Sequence, residues 1–167
     1  FYFSPVIVGY YAIAYMVIIL PSKLMGNSIE TIFFQKASAQ KNQNISIGNL
    51  VSTIHTRLVS IGIFTCLLLM ITGPELFSFV LGSKWATAGV YAQILAPWFF
   101  VAFISSPLSS IFNIFEQQQV SLKFHVVLLI SRVIALVISG LLHDPILGLL
   151  LLSITGVVCW TWMNMYL

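Results

Sequence analysis

Two sets of polar side chains interrupt long apolar runs of this sequence, and their spacing is the first sign of what they could do. Lys23, Asn27, Glu30 and Thr31 fall at i, i+4, i+7 and i+8, one face of a helix. Opposite charges two turns apart on one stripe suit the wall of a hydrated cavity, or a buried ion pair that locks this helix to its neighbours. Ser106, Ser110, Asn113 and Gln117 repeat the pattern at i, i+4, i+7 and i+11, with Ser109 and Glu116 on the flank. They surround the stretch SSPLSS, whose Pro107 lies ten residues after Pro97. An interior proline frees a carbonyl that nearby hydroxyls can take up. Small hydroxyl residues also line close helix crossings in membranes. Ser105 and Ser109 suit that second use, while the stripe ending in Asn and Gln suits a cavity lining.

Arg132 is the third feature, roughly a third of the way into a later apolar run. A charge at the centre of a bilayer costs about 2.5–3.5 kcal/mol on insertion scales. Either the side chain snorkels to the nearer surface, or it waits as a contact for an anionic headgroup. His55 and Arg57 invite the same pair of readings, and snorkelling suits them better. His143 belongs to a solvated loop.

Catalysis finds little support in these residues. There are four carboxylates in the chain and three histidines, and no spacing among them suits a metal or a Ser–His–Asp set. The chain is not expected to be an enzyme, nor to need a metal or cofactor, and nucleic acid is not an expected partner. Cys66 and Cys159 sit inside apolar runs without a CxxC partner and read as small buried hydrophobes.

The elements that carry these residues follow from composition. Of 167 residues, 59% are hydrophobic and 7% charged, and the mean hydropathy is +1.03. Soluble domains carry about 25% charged residues, so the solvent here is lipid. A spanning helix needs about 20 mostly apolar residues, and five stretches qualify: 5–39, 47–71, 86–117, 121–141 and 145–167. The expected fold is an all-α bundle of five transmembrane helices forming one domain over 1–167. The first helix would extend about 52 Å at 1.5 Å per residue, so it must tilt, kink at Pro21 or project from the membrane. Residues 41–44 form the first loop, and residues 73–85 a longer connection with a short interfacial helix. EQQQ at 116–119 and HDP at 143–145 complete the set. Asp144 followed by Pro145 is a strong helix start, an N-cap acceptor with proline at the first helical position. No signal peptide opens the sequence, and its first and last residues suggest a piece of something longer.

Lys and Arg in short loops orient a membrane chain. One side collects Lys36, Lys41, Arg57, Lys123 and Arg132, against Lys84 on the other with Glu75 and Asp144. The first and third loops therefore face the cytoplasm, with the chain start outside and its end inside. Trp160, Trp162 and Tyr166 fit an interfacial aromatic belt.

Three stretches together resemble bacterial polysaccharide and O-antigen flippases, members of the multidrug/oligosaccharidyl-lipid/polysaccharide exporter superfamily. These are FSPVIVGYYAIAY…LPSKLMGNSIETIFFQKASA, then GPELFSFVLGSKWATAGVYAQILAPWFFVAFISSPLSSIFNIFEQQQ, and the Arg132-bearing LLISRVIALVISG. Where many members carry a cation soon after VGxYxxA, this chain has Tyr15 and Met16, with Lys23 one or two turns on. The resemblance implies a MATE-like fold of two six-helix lobes working by alternating access, with this chain as the second lobe lacking its first helix. It implies transfer of a polyprenyl-pyrophosphate-linked oligosaccharide to the outer leaflet of a bacterial inner membrane, for O-antigen or exopolysaccharide. Its implied partners are the lipid-linked oligosaccharide, membrane lipids, the other lobe, and polysaccharide polymerase and glycosyltransferases. A multidrug exporter of the same superfamily and a non-transporting scaffold of a polysaccharide complex remain the alternatives.

Overall fold

A computed structural model describes residues 3–43 and 45–165, apart from the side chains of Pro21 and Ser22. The expected aromatic anchor Tyr166, the stub residues Phe1 and Tyr2, and Asn44 of the first loop lie outside the described residues. The described chain is helical, without a strand, and five helical runs are long and apolar enough to cross a membrane.

The first run is a single rod from Pro5 to Asn42, 38 residues or about 57 Å. It consists of α1 (Pro5–Pro21), a π-helical turn (Ser22–Gly26) and α2 (Asn27–Asn42). Pro21 has no N–H for the carbonyl four residues back. The wider i→i+5 register of a π turn brings the next amide within reach, so the rod continues instead of breaking.

Helix α3 (Gly48–Leu81) is longer than the sequence predicts. The GPELFSF stretch, expected as a separate interfacial helix, continues the span across a kink at Thr72 (φ −118°, ψ 17°). Pro74 deprives the Met70 carbonyl of its partner, and the side chain of Gln93, from the next helix, donates to that oxygen at 2.9 Å. At the same place Gly73 and Gly89 let the two backbones touch. A Cβ on Gly89 would stand 2.4 Å from the Gly73 oxygen. The proline break is therefore mended by a neighbouring helix that only two glycines allow so close, the small-residue crossing of membrane bundles.

A 3₁₀ turn (Ser83–Trp85) leads into α4 (Ala86–Ser105), which is apolar around its whole circumference and the most buried of the spans. It packs on α1, α3 and α7 (Pro145–Asn164). Ala14, Ile18, Leu69, Phe77 and Leu149 close around it. The expected single helix over 86–117 ends early. A 3₁₀ turn (Pro107–Ser110) and the single-turn α5 (Ile111–Ile114) follow α4. Phe33 and Ala37 of α2 pack on this turn with Leu108 and Ile114. Lys41 closes the corner: its ammonium donates to the carbonyl of Ile114, at the end of α5, and sits 5.3 Å from the Phe115 ring. That contact puts the first and third loops at one end of the bundle. Tyr10 meets Trp85 at the other end, with ring centroids 5.9 Å apart.

Helix α6 (Gln118–Leu142) ends on His143, in the left-handed region at φ 54°. Asp144 then caps α7 as predicted, its carboxylate accepting from the amides of Ile146 at 2.9 Å and Leu147 at 3.2 Å. Trp160 departs from the belt expected of it. It turns inward to an edge contact with Phe124 at 4.8 Å, whereas Trp162 is exposed. Cys159 is buried and Cys66 half-buried, the latter 3.8 Å from the Met70 sulfur. Outward faces carry large apolar side chains such as Phe79 and Leu129, as a lipid-facing surface requires.

Candidate functional site

Four helices line an open chamber of about 350 Å³. Each contributes residues at helical spacing. Tyr11 and Tyr15 come from α1, Tyr91 and Trp98 from α4, and Arg132, Leu136 and Ser139 from α6, while Gly148 and Leu152 of α7 close the back. Such a volume lies within the range of ligand pockets, about 300–1,000 Å³.

Arg132 is the centre of its chemistry. It lies 14 residues after Gln118 and 10 before Leu142, about 21 Å and 15 Å from the two ends of α6. That corrects the reading of Arg132 as a group a third of the way in: it stands at mid-span, too deep to snorkel. The side chain turns inward, with Cζ 4.7 Å from the centroid of the Trp98 ring. A cation–π contact contributes about 0.5–2 kcal/mol, against the insertion cost of about 2.5–3.5 kcal/mol for the charge. The ring offsets part of the cost and leaves the guanidinium donors open. Among the described residues no carboxylate pairs with it. A planar cation with free donors is suited to bidentate contact with a phosphate or carboxylate.

Trp98 is in turn held by its surroundings. Its ring stacks obliquely on Phe99 at 4.7 Å, and Phe99 meets Tyr15 at 5.5 Å. On the other side Gly156 of α7 makes room: a Cβ there would fall 2.2 Å from Trp98 Cδ1. Gly148 likewise admits the Ser139 hydroxyl, 2.7 Å from where its Cβ would be. The Trp98 ring nitrogen is buried without a partner among the described residues.

The residues singled out by spacing are placed elsewhere, and none of the two stripes lines this chamber. Lys23, Asn27 and Thr31 are exposed and Glu30 half-buried. Lys23 and Glu30 form no ion pair. The Thr31 hydroxyl donates to the Asn27 carbonyl at 2.9 Å. The second stripe does not stay on one face, because the 3₁₀ turn replaces the 3.6-residue period its spacing assumed. Ser106, Asn113 and Gln117 are exposed, whereas Ser110 is buried and donates to the Pro107 carbonyl at 3.1 Å. Ser105 donates to Val101 and Ser109 to Ser106, at 2.6 and 2.7 Å. Both hydroxyls thus serve carbonyls of their own helical turns, and neither donates to Phe103, four residues before Pro107.

Spacing alone missed the aromatic wall. Tyr11 and Tyr15 at i, i+4, and Tyr91 and Trp98 at i, i+7, carry the signal, but aromatic residues in an apolar span read first as core. Among the described residues no group of three His, Cys, Asp or Glu is placed to hold a metal.

A family model described as polysaccharide biosynthesis protein matches residues 1–90, more than half of the chain. Neither a curated protein nor a solved structure matches the chain.

Proposed function

This chain belongs to the polysaccharide biosynthesis protein family, a multi-pass membrane protein with a role in polysaccharide synthesis or export, and from that premise we propose that it moves a lipid-linked oligosaccharide across the membrane. The observation that carries the reading is Arg132 at mid-span, without a carboxylate partner among the described residues, against an aromatic wall. A sugar chain crossing about 30 Å of hydrocarbon leaves every unpaired hydroxyl at a cost. Its pyrophosphate is costlier still. A guanidinium at mid-depth stabilises that anion, and the tyrosine and tryptophan faces stack against sugar rings. The exposed Asn27, Asn113 and Gln117 offer further exchangeable hydrogen bonds along the route.

In this reading the protein is one lobe of a MATE-like, two-lobe flippase of the bacterial inner membrane, working by alternating access. It handles O-antigen or exopolysaccharide intermediates beside polymerase and glycosyltransferases and has no catalytic role of its own. The charges support the orientation. With Arg132 removed from the loop count, Lys36, Lys41, Arg57 and Lys123 remain against Lys84, four to one, which favours the first and third loops in the cytoplasm.

The aromatic wall also suits a drug exporter, the second reading. The cation separates the two, since Arg132 repels the cationic amphiphiles that aromatic cages hold.

The test replaces Arg132 by Leu or by Lys in the full-length protein, in cells lacking the native copy. Losing a charge-assisted contact costs about 1.5–3 kcal/mol, so surface polysaccharide should fall about 10–100-fold with Leu. Lys should retain part of it, with both variants present in the membrane at normal levels. Lipid-linked sugar should build up on the inner leaflet. Normal polymer with Arg132→Leu removes the chamber from the pathway, and drug sensitivity without polymer loss favours the second reading.

A further inference from the structure

A second cationic feature lies away from the chamber, where α2 and the first half of α3 diverge. There a groove of about 300 Å³ is lined by Ile29, Ile32, Leu50 and Ile61, with Lys36 and Arg57 on its rim. No carboxylate lines it, and neither cation has an ion-pair partner among the described residues. Thr53, the remaining polar side chain of the wall, donates its hydroxyl to the Asn49 carbonyl at 2.8 Å. The groove is therefore apolar on its deeper side, at Ile29, Ile32 and Ile61, with the two cations nearer the helix ends.

Its depth matches that division. Lys36 lies six residues before Asn42, and Arg57 nine after Gly48, about 9 Å and 14 Å from those helix ends. The two rods are 38 and 34 residues long, about 57 Å and 51 Å. Both exceed the roughly 30 Å hydrocarbon core, by about 13 Å and 10 Å at each end of a centred rod, so Lys36 sits at headgroup level and Arg57, a few ångströms deeper, reaches that level with its long side chain. Lys41, by contrast, is tied to the Ile114 carbonyl.

We propose that this groove holds an anionic phospholipid of the surrounding membrane, its phosphate between Lys36 and Arg57 and one acyl chain along Ile29, Ile32 and Ile61. Charge complementarity selects the occupant. Two unpaired cations and no acid favour an anionic headgroup over a zwitterionic one, and the apolar length below them requires an attached chain. The site is independent of the Arg132 chamber and does not rest on the transport reading.

The experiment measures lipid retained by the purified full-length protein in native mass spectrometry, with phosphatidylglycerol and phosphatidylethanolamine of equal chain length. Phosphatidylglycerol should be retained preferentially, and Lys36→Gln with Arg57→Gln should weaken it about thirtyfold, the effect of two cations near an anionic lipid surface. The charge-preserving pair Lys36→Arg and Arg57→Lys should keep it, and Lys84→Gln should leave it unchanged. Soluble glycerol phosphate should fail to compete, because it lacks the chain. Equal retention of the two lipids by the native protein overturns the proposal, even if the double Gln variant does not fold. Unchanged retention in a folded double variant also overturns it. Displacement by glycerol phosphate would reassign the groove to free phosphate.

Discussion

The chamber around Arg132 and the segment from Ser105 to Gln117 both place polar groups inside apolar spans, yet they dispose of them in opposite ways. In the segment, the hydroxyls of Ser105, Ser109 and Ser110 donate to carbonyls three or four residues back. The same bond recurs at Thr31, Thr56, Thr72, Ser139 and Thr155. A hydroxyl in a membrane helix has an acceptor within its own turn and needs no other partner. Arginine has five N–H donors and cannot lose its charge, so no local carbonyl suffices and the fold must build around it. Hydroxyl stripes are therefore weak evidence for a substrate path, and a mid-span arginine is strong evidence.

The largest expected effect on this contrast comes from the chamber itself. Exchanging Arg132 for Leu should reduce surface polysaccharide about 10–100-fold, while the double change Ser109→Ala, Ser110→Ala should leave it within about twofold, the hydroxyls being occupied by their own backbone. Equal losses in the two variants would erase the distinction. Next comes the support of Trp98. Gly156→Ala places a methyl 2.2 Å from the ring, and overpacking of this kind costs about 1–3 kcal/mol. Thermal unfolding should shift down and tryptophan emission should change. Gly9→Ala, with nothing within 4 Å, should do neither. A third, smaller effect concerns the crossing of α3 and α4. Gln93→Leu leaves the Met70 carbonyl unserved at Pro74, and interhelical hydrogen bonds in membranes average about 0.6 kcal/mol with a maximum near 1.7. A modest loss of thermal stability with transport retained is the expected result. Smallest of all, Ser110→Ala alone should change stability by under about 0.5 kcal/mol, because the 3₁₀ turn keeps its backbone bonds.

Much of the scaffold was legible in the sequence. The five spans follow from apolar length, the Asp144–Pro145 start from cap chemistry, and the interruptions near Pro21 and Pro107 from proline's missing N–H. The boundary after Ile71 was misjudged because Gly-Pro reads as a helix stop, and the repair by Gln93 comes from 19 residues further along the chain than Pro74. The serine stripe does not keep to one face because its spacing assumed an unbroken α-helix, which the Pro107 turn ends.

Legible in the residues alone are a lipid environment, five stretches long and apolar enough to span it, and an arginine inside one of them. Those properties depend on local chemistry: apolar runs, proline and caps act over a few residues. The inward turn of Arg132 onto Trp98, instead of toward a surface, is set by packing between helices. That direction depends on Gly156 yielding space on α7 and on Tyr11 and Tyr15 closing the wall from α1. Contacts between helices far apart in the chain set it, and no period within a single helix records them.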